Sequence, residues 1–318
     1  MVKVPKGYRS RNVDDRRGSS GGGRSFGRSG SSGGLGGGLG GLGGGAASAA
    51  TGKRAGGCGG IGLLLVVGII ALLFFAFNGS GDGNGTATSG TTPSEPTANT
   101  SPAVDGDLGE AEDLVNFVLD DVQDNFWVDE YPRVFGEPYQ LSQLVLFSDR
   151  VTTGGCGTAS SNVGPFYCPA DGRAYIDLPF MLRLQNQLGA QGDFSQAYIL
   201  AHEVGHHVQN LAGINDALRR AQSTASTVES NQLQVLLELQ ADCFAGAWAA
   251  TAEDRGILDA GDLDEGVRAA GAVGDDAITG SSNQENFTHG SSAQRIEWFA
   301  RGFDEGTESC DTFEGSLG

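Results

Sequence analysis

One segment of the chain has little freedom in how it folds: Ala201-His202-Glu203-Val204-Gly205-His206-His207, between Ala197-Tyr198-Ile199-Leu200 and Val208. Its H-E-x-x-H pattern makes chemical sense on an α-helix. There, about 3.6 residues per turn stack His202 and His206 on one face and set Glu203 beside them. Two imidazoles one turn apart are two-thirds of a zinc site, and Glu203 stands where it can take a proton from a water that the metal activates. Three fixed positions also arise by chance in roughly one chain in a hundred of this length. The rest of the sequence therefore has to supply the third ligand and the right surroundings. Of the four histidines in the chain, three fall in this segment.

Composition limits where such a helix can be built. Residues 18–60 are mostly Gly, Ser and Ala, and residues 79–103 mostly Gly, Thr, Ser, Asn and Pro. Neither carries enough apolar side chain to offset the entropy of ordering, so both are expected to be disordered. Between them, Ile61 to Phe77 has no charged residue. With its flanks, residues 59–78, it reaches membrane-spanning length, which predicts one transmembrane helix. A cleaved signal peptide fits less well, because some sixty residues precede the run and aromatics end it. The expected organisation is a disordered basic tail (1–58), a transmembrane helix (59–78), a disordered linker (79–103) and one folded domain (104–318).

Charge orients this arrangement. Residues 1–60 hold ten of the 20 Lys and Arg but only two of the 39 acids, Asp14 and Asp15. Lys53 and Arg54 stand just before the apolar run, so the positive-inside rule places the N-terminus in the cytoplasm and the C-terminal domain outside the cell membrane. The net charge of −19 argues against nucleic acid as a partner. An outside compartment permits disulfides, and two are expected, Cys156 with Cys168 and Cys243 with Cys310; buried free thiols are the alternative. Cys58 is left over, and the absence of C-x-x-C leaves a cysteine zinc site unsupported.

Apolar spacing in the outer part predicts helices over 108–127, 180–188, 195–211, 215–223, 229–255, 263–276 and 292–303. Strands are expected over 139–147 and 173–178. Helices outnumber strands, so the class is α+β, helix-dominant, with a small sheet beside a helical body.

A catalytic zinc site takes three protein ligands and keeps a fourth position open. An extended metzincin pattern would put Gly at position 209 and His at position 212; the chain has Gln209 and Ala212. His207 is rotated off the ligand face, which makes it a packing or hydrogen-bonding residue. The candidate third ligand is Glu238, an acid among Val235, Leu236, Leu237 and Leu239, where a carboxylate needs a cation or another partner. Asp242, one turn on, is placed to hydrogen-bond the free nitrogen of a ligating histidine. An exposed acidic helix face would give the same spacing.

These segments, with Gly155-Cys156-Gly157, Gly164-Pro165-Phe166-Tyr167-Cys168-Pro169, Gly192-Asp193-Phe194 and Thr288-His289-Gly290-Ser291-Ser292-Ala293-Gln294-Arg295, carry a resemblance. The chain resembles the bacterial "putative neutral zinc metallopeptidases", membrane-anchored proteins with a zincin-like domain. The Glu238-x-x-Ala241-Asp242 element also looks like the third-ligand helix of other membrane zinc peptidases. The resemblance implies one zinc ion on His202, His206 and Glu238, Glu203 as general base, and a protein or peptide substrate. For the group that steadies the oxyanion it points to His289, with Tyr198 and Arg295 as weaker candidates; His289 at a plain helix entry is the competing reading. Two rival functions stand beside the enzyme: a zinc-stabilised, non-catalytic interaction or scaffold domain, and a metal-free adhesion domain on a stalk. An intact Glu203 argues against the first, since a structural zinc needs no base.

Overall fold

The computed structural model describes residues 1–17, 105–189 and 192–317. The expected transmembrane helix (59–78), the linkers and Cys58 lie outside these residues. Among the described residues no helix is long and apolar enough to cross a membrane.

The body is helix-dominant α+β, as expected. Its first helix, α1 (Asp105–Val122), buries Leu114, Val115, Val118, Leu119 and Val122, the spacing of one helical face. The expected helix stops at Trp127. The chain instead stays helical through a π turn (Gln123–Trp127) into α2 (Val128–Phe135), past Pro132, and ends at the left-handed Gly136. Buried Trp127 and Tyr131 extend the apolar face beyond the point where the sequence periodicity fades.

A four-stranded sheet packs beside the helices, its strands in the spatial order Val13–Asp15 (β1), Gln143–Leu146 (β2), Arg173–Ile176 (β6) and Phe166–Cys168 (β5). Its centre is β2 (Gln143–Leu146) and β6 (Arg173–Ile176), parallel neighbours whose apolar residues are buried on both faces. Outside β6 runs antiparallel β5 (Phe166–Cys168). A hairpin of β3 (Arg150–Thr152) and β4 (Thr158–Ser160) stands apart. The Cys156–Cys168 disulfide ties its loop to β5.

The helical body comes next along the chain. Asp177 caps α3 (Leu178–Leu188) by accepting from the Phe180 N–H. Then come α4 (Asp193–Leu211), α5 (Ile214–Gln222) and α6 (Thr227–Asp254), the last opened by a Ser226–Glu229 capping box. The helix expected over 263–276 is two, α7 (Asp262–Ala272) and α8 (Asp275–Thr279). At Gly274 between them, a Cβ would stand 2.3 Å from the Ser292 nitrogen, so the turn needs glycine there. A second capping box, Ser291 with Gln294, starts α9 (Ser292–Glu305). Helices α6 and α9 approach so closely that a Cβ on Gly246 would lie 2.0 Å from the Phe299 carbonyl oxygen. The second expected disulfide, Cys243–Cys310, also forms.

The N-terminal tail needs correction. Residues 1–17, expected to be disordered, form a strap on the domain whose β1 (Val13–Asp15) pairs in parallel with β2, Val13 opposite Leu144. Val2 is buried in the main core. One face of α1 answers the strap: Asp113 accepts from the Gly7 N–H (2.6 Å), Asn116 from the Ser10 N–H (2.9 Å), and Asp120 from the Tyr8 hydroxyl (3.0 Å). So short and polar a segment has no structure of its own to declare; the sheet edge and the acidic helix face supply it.

Candidate metal centre

The site is made where α4 crosses α6. Gly205, between the two histidines, lies against Ala241, and a Cβ there would meet the Ala241 backbone at 3.1 Å. This close approach brings three donors together. His202 Nε2 is 3.2 Å and His206 Nε2 3.6 Å from the same Glu238 oxygen. The imidazoles stand edge to face, with ring centroids 4.7 Å apart. Tetrahedral zinc with bonds of about 2.0–2.1 Å separates neighbouring donors by roughly 3.3 Å. The three side chains therefore fit one such ion.

The outer nitrogens of both rings are tied back. Asp242 Oδ1 lies 2.8 Å from His202 Nδ1. A carboxylate only accepts, so a proton sits on Nδ1, which leaves Nε2, on the Glu238 side, as the nitrogen that would bind a metal once it has given up its own proton. Asp242 is fully buried and also accepts from Arg295 Nε and Nη2 (both 2.8 Å) and from the Tyr198 hydroxyl (2.5 Å). On the other ring, His206 Nδ1 meets Gln209 Oε1 at 2.8 Å. The Gln209 amide nitrogen donates to the Leu237 carbonyl (2.7 Å) and to Gln240 Oε1 (3.1 Å), and Gln240 in turn donates to the Cys310 carbonyl (3.0 Å). That network fixes which end of Gln209 faces the ring.

Electrostatics are set by this packing. Burial disfavours the Glu238 charge, but His206 and His202 outweigh it and hold the carboxyl well below its usual range. Burial would likewise push His202 down, yet Asp242 and Glu238 raise it to about 9; His206 is raised as well, against burial, chiefly by Glu238. Glu203 behaves differently. It is buried, its carboxyl is pushed up by that burial, and among the described residues no hydrogen bond or ion pair reaches it.

His207 is a packing residue, as expected: its ring lies between the Tyr167 hydroxyl (2.9 Å) and the Gln140 carbonyl (2.6 Å). His289 stands two residues before the Ser291 N-cap of α9. Its Nδ1 lies 3.0 Å from Asp275 Oδ1, while Asp275 Oδ2 accepts the N–H groups of Thr288, His289 and Gly290. Gly290 abuts Val235 and Leu239 on α6, which sets this loop against the helix that carries Glu238. Tyr198 and Arg295 serve Asp242 on the far side of His202 and are corrected as oxyanion candidates. Sequence reasoning missed Gln209, Gln240 and Asp275. A glutamine three residues after a ligand, or an acid at a short helix start, has no pattern that marks it.

A second acidic group, Asp193, Asp262 and Glu265, also brings its oxygens together. The strap fills it: Asp262 accepts from the Met1 ammonium and Asp193 from the Val2 N–H, while Glu265 accepts from the Phe194 N–H.

Comparison with known proteins places the chain in a family. An uncharacterised protein of Escherichia coli K12, YpfJ, is 40% identical over 313 residues, 97% of each chain. An uncharacterised protein of Mycobacterium tuberculosis H37Rv, Rv2575, is 46% identical over 191 residues, covering 55% of this chain and 63% of its own. No solved structure matches. A family pattern described as "Putative neutral zinc metallopeptidase" matches residues 3–313. That span takes in the strap, the sheet and every donor at the α4–α6 crossing, and the chain belongs to this family.

Proposed function

We propose that the protein is a zinc-dependent peptidase that hydrolyses protein or peptide substrates at the open side of His202, His206 and Glu238. Zinc, when bound, lowers the pKa of a water and polarises the scissile carbonyl. The observation that carries the reading is Glu203: a buried carboxyl beside the donors with, among the described residues, no hydrogen-bond or ion-pair partner, as a general base requires and a structural zinc site does not. Glu203 takes the proton of the attacking water and passes it to the leaving amine. His289, held by Asp275 through its Nδ1–H, donates from a protonated Nε2–H to the carbonyl oxygen as that atom gains charge. Asp242, Arg295 and Tyr198 hold the ring of His202, and Gln209 that of His206. Two disulfides support a domain that works in an oxidising, extracytoplasmic compartment, held at the membrane by residues 59–78.

The test uses the purified zinc-loaded protein and a broad peptide library read by mass spectrometry. Glu203→Gln should keep stoichiometric zinc and lose about 10²–10⁴-fold in rate. His289→Ala should keep zinc and lose about 10²–10³-fold. Full activity in Glu203→Gln with zinc retained would overturn the general-base mechanism, and a zinc-loaded unmodified protein that cleaves no peptide would leave the scaffold reading.

A further inference from the structure

The strap bears on which side of a membrane each part of the chain occupies. An apolar run that crosses a bilayer once leaves its N-terminal and C-terminal flanks on opposite faces. A crossing takes about 20 residues, so residues 59–78 suffice for one passage and not for two. Yet residues 1–17 and 105–317 are parts of one folded body. The Leu144 N–H donates to the Asn12 carbonyl (2.9 Å), the Arg16 N–H to Leu146 (2.8 Å) and the Lys3 N–H to Ile257 (2.9 Å). Val2 is 5% exposed within the main core. Three of the six basic residues of this stretch, which alone would mark a cytoplasmic tail, are used by the domain's acids: Lys3 pairs with Asp259 (3.2 Å), Arg9 with Asp113, and Arg17 with Glu112 (2.6 Å). The family pattern begins at residue 3 and so includes the strap.

We propose that residues 1–17 and the zinc-site domain fold as one unit on the same face of the membrane. The apolar run between them therefore does not carry the chain across the bilayer. The cytoplasmic N-terminus expected from charge alone gives way to one that shares the domain's compartment.

Two measurements on the full-length protein in intact producing cells test this. Beyond Lys53 the sequence contains no lysine, so a zero-length carbodiimide crosslink from an N-terminal lysine to an acid of the domain is unambiguous by mass spectrometry. The expected product joins Lys3 to Asp259; its absence overturns docking. In a Cys58→Ser background, Lys6→Cys and Ser282→Cys place one thiol each at exposed positions of the strap and the domain. A membrane-impermeant maleimide should treat the two alike, labelling both or neither until the membrane is permeabilised. One labelled and the other protected in intact cells would restore the single crossing and defeat the proposal.

Discussion

At the scale of single residues, the site is a set of opposed charges that a proton can occupy in place of a metal. Without zinc, His202 is held protonated up to about pH 9 by Asp242 and Glu238 against the pull of burial. Zinc needs the Nε2 lone pair, so binding must expel that proton. The sign is fixed: affinity falls as pH falls below the raised pKa. Calorimetry at pH 7.5 in buffers of different ionisation enthalpy should show at least about one proton released per zinc. No release would mean that the ring is already neutral in the empty site. Asp242→Ala should weaken zinc by about 10–100-fold in a chelator competition, because Nδ1 then loses its acceptor. What was legible at this scale is what helical spacing displays: His202, Glu203 and His206 on one face, then Glu238 and Asp242 one turn apart. Gln209, Gln240 and Asp275 were illegible because their partners come from other elements, and a hydrogen bond between distant segments leaves no period in the sequence.

At the scale of elements, the donors meet because three helices pack unusually close, and glycines make the room. Gly246, two turns beyond Glu238 on α6, faces the Phe299 carbonyl on α9. Gly246→Ala should cost at least about 3 kcal/mol, the upper end for overpacking, since a backbone carbonyl cannot swing aside. Gly109 on α1 has nothing within 4 Å of its missing Cβ, and Gly109→Ala should stabilise by about 0.5–1 kcal/mol. Thermal denaturation of both variants checks the pair; equal shifts would remove the close-packing explanation. The helices were readable because each buries one periodic face. The exceptions were readable only in retrospect: the break at Gly274 is imposed by Ser292, and β1, β3, β4 and β5 are three-residue strands, too short for alternation to show.

At the scale of the whole molecule, the helix-dominant α+β class was plain from the ratio of periodic segments, but the outline of the body was not. A charge count treats residues 1–17 as a tail, whereas the fold uses them as a sheet edge. The longer disulfide matters most at this scale. Cys243 and Cys310 close a separation of 67 residues, worth about 4 kcal/mol of chain entropy. Replacing both by Ser should lower the unfolding free energy by about that amount in denaturant titrations; an unchanged midpoint would show that the bridge closes no loop that matters. The same bridge fixes the Cys310 carbonyl that receives Gln240, which orients Gln209, which in turn holds His206. A newly made, still-reduced copy has every donor but lacks the far anchor of this brace. If the proposed zinc site is right, zinc is held tightly only after this bridge closes, and a chelator competition on reduced and oxidised protein checks that order.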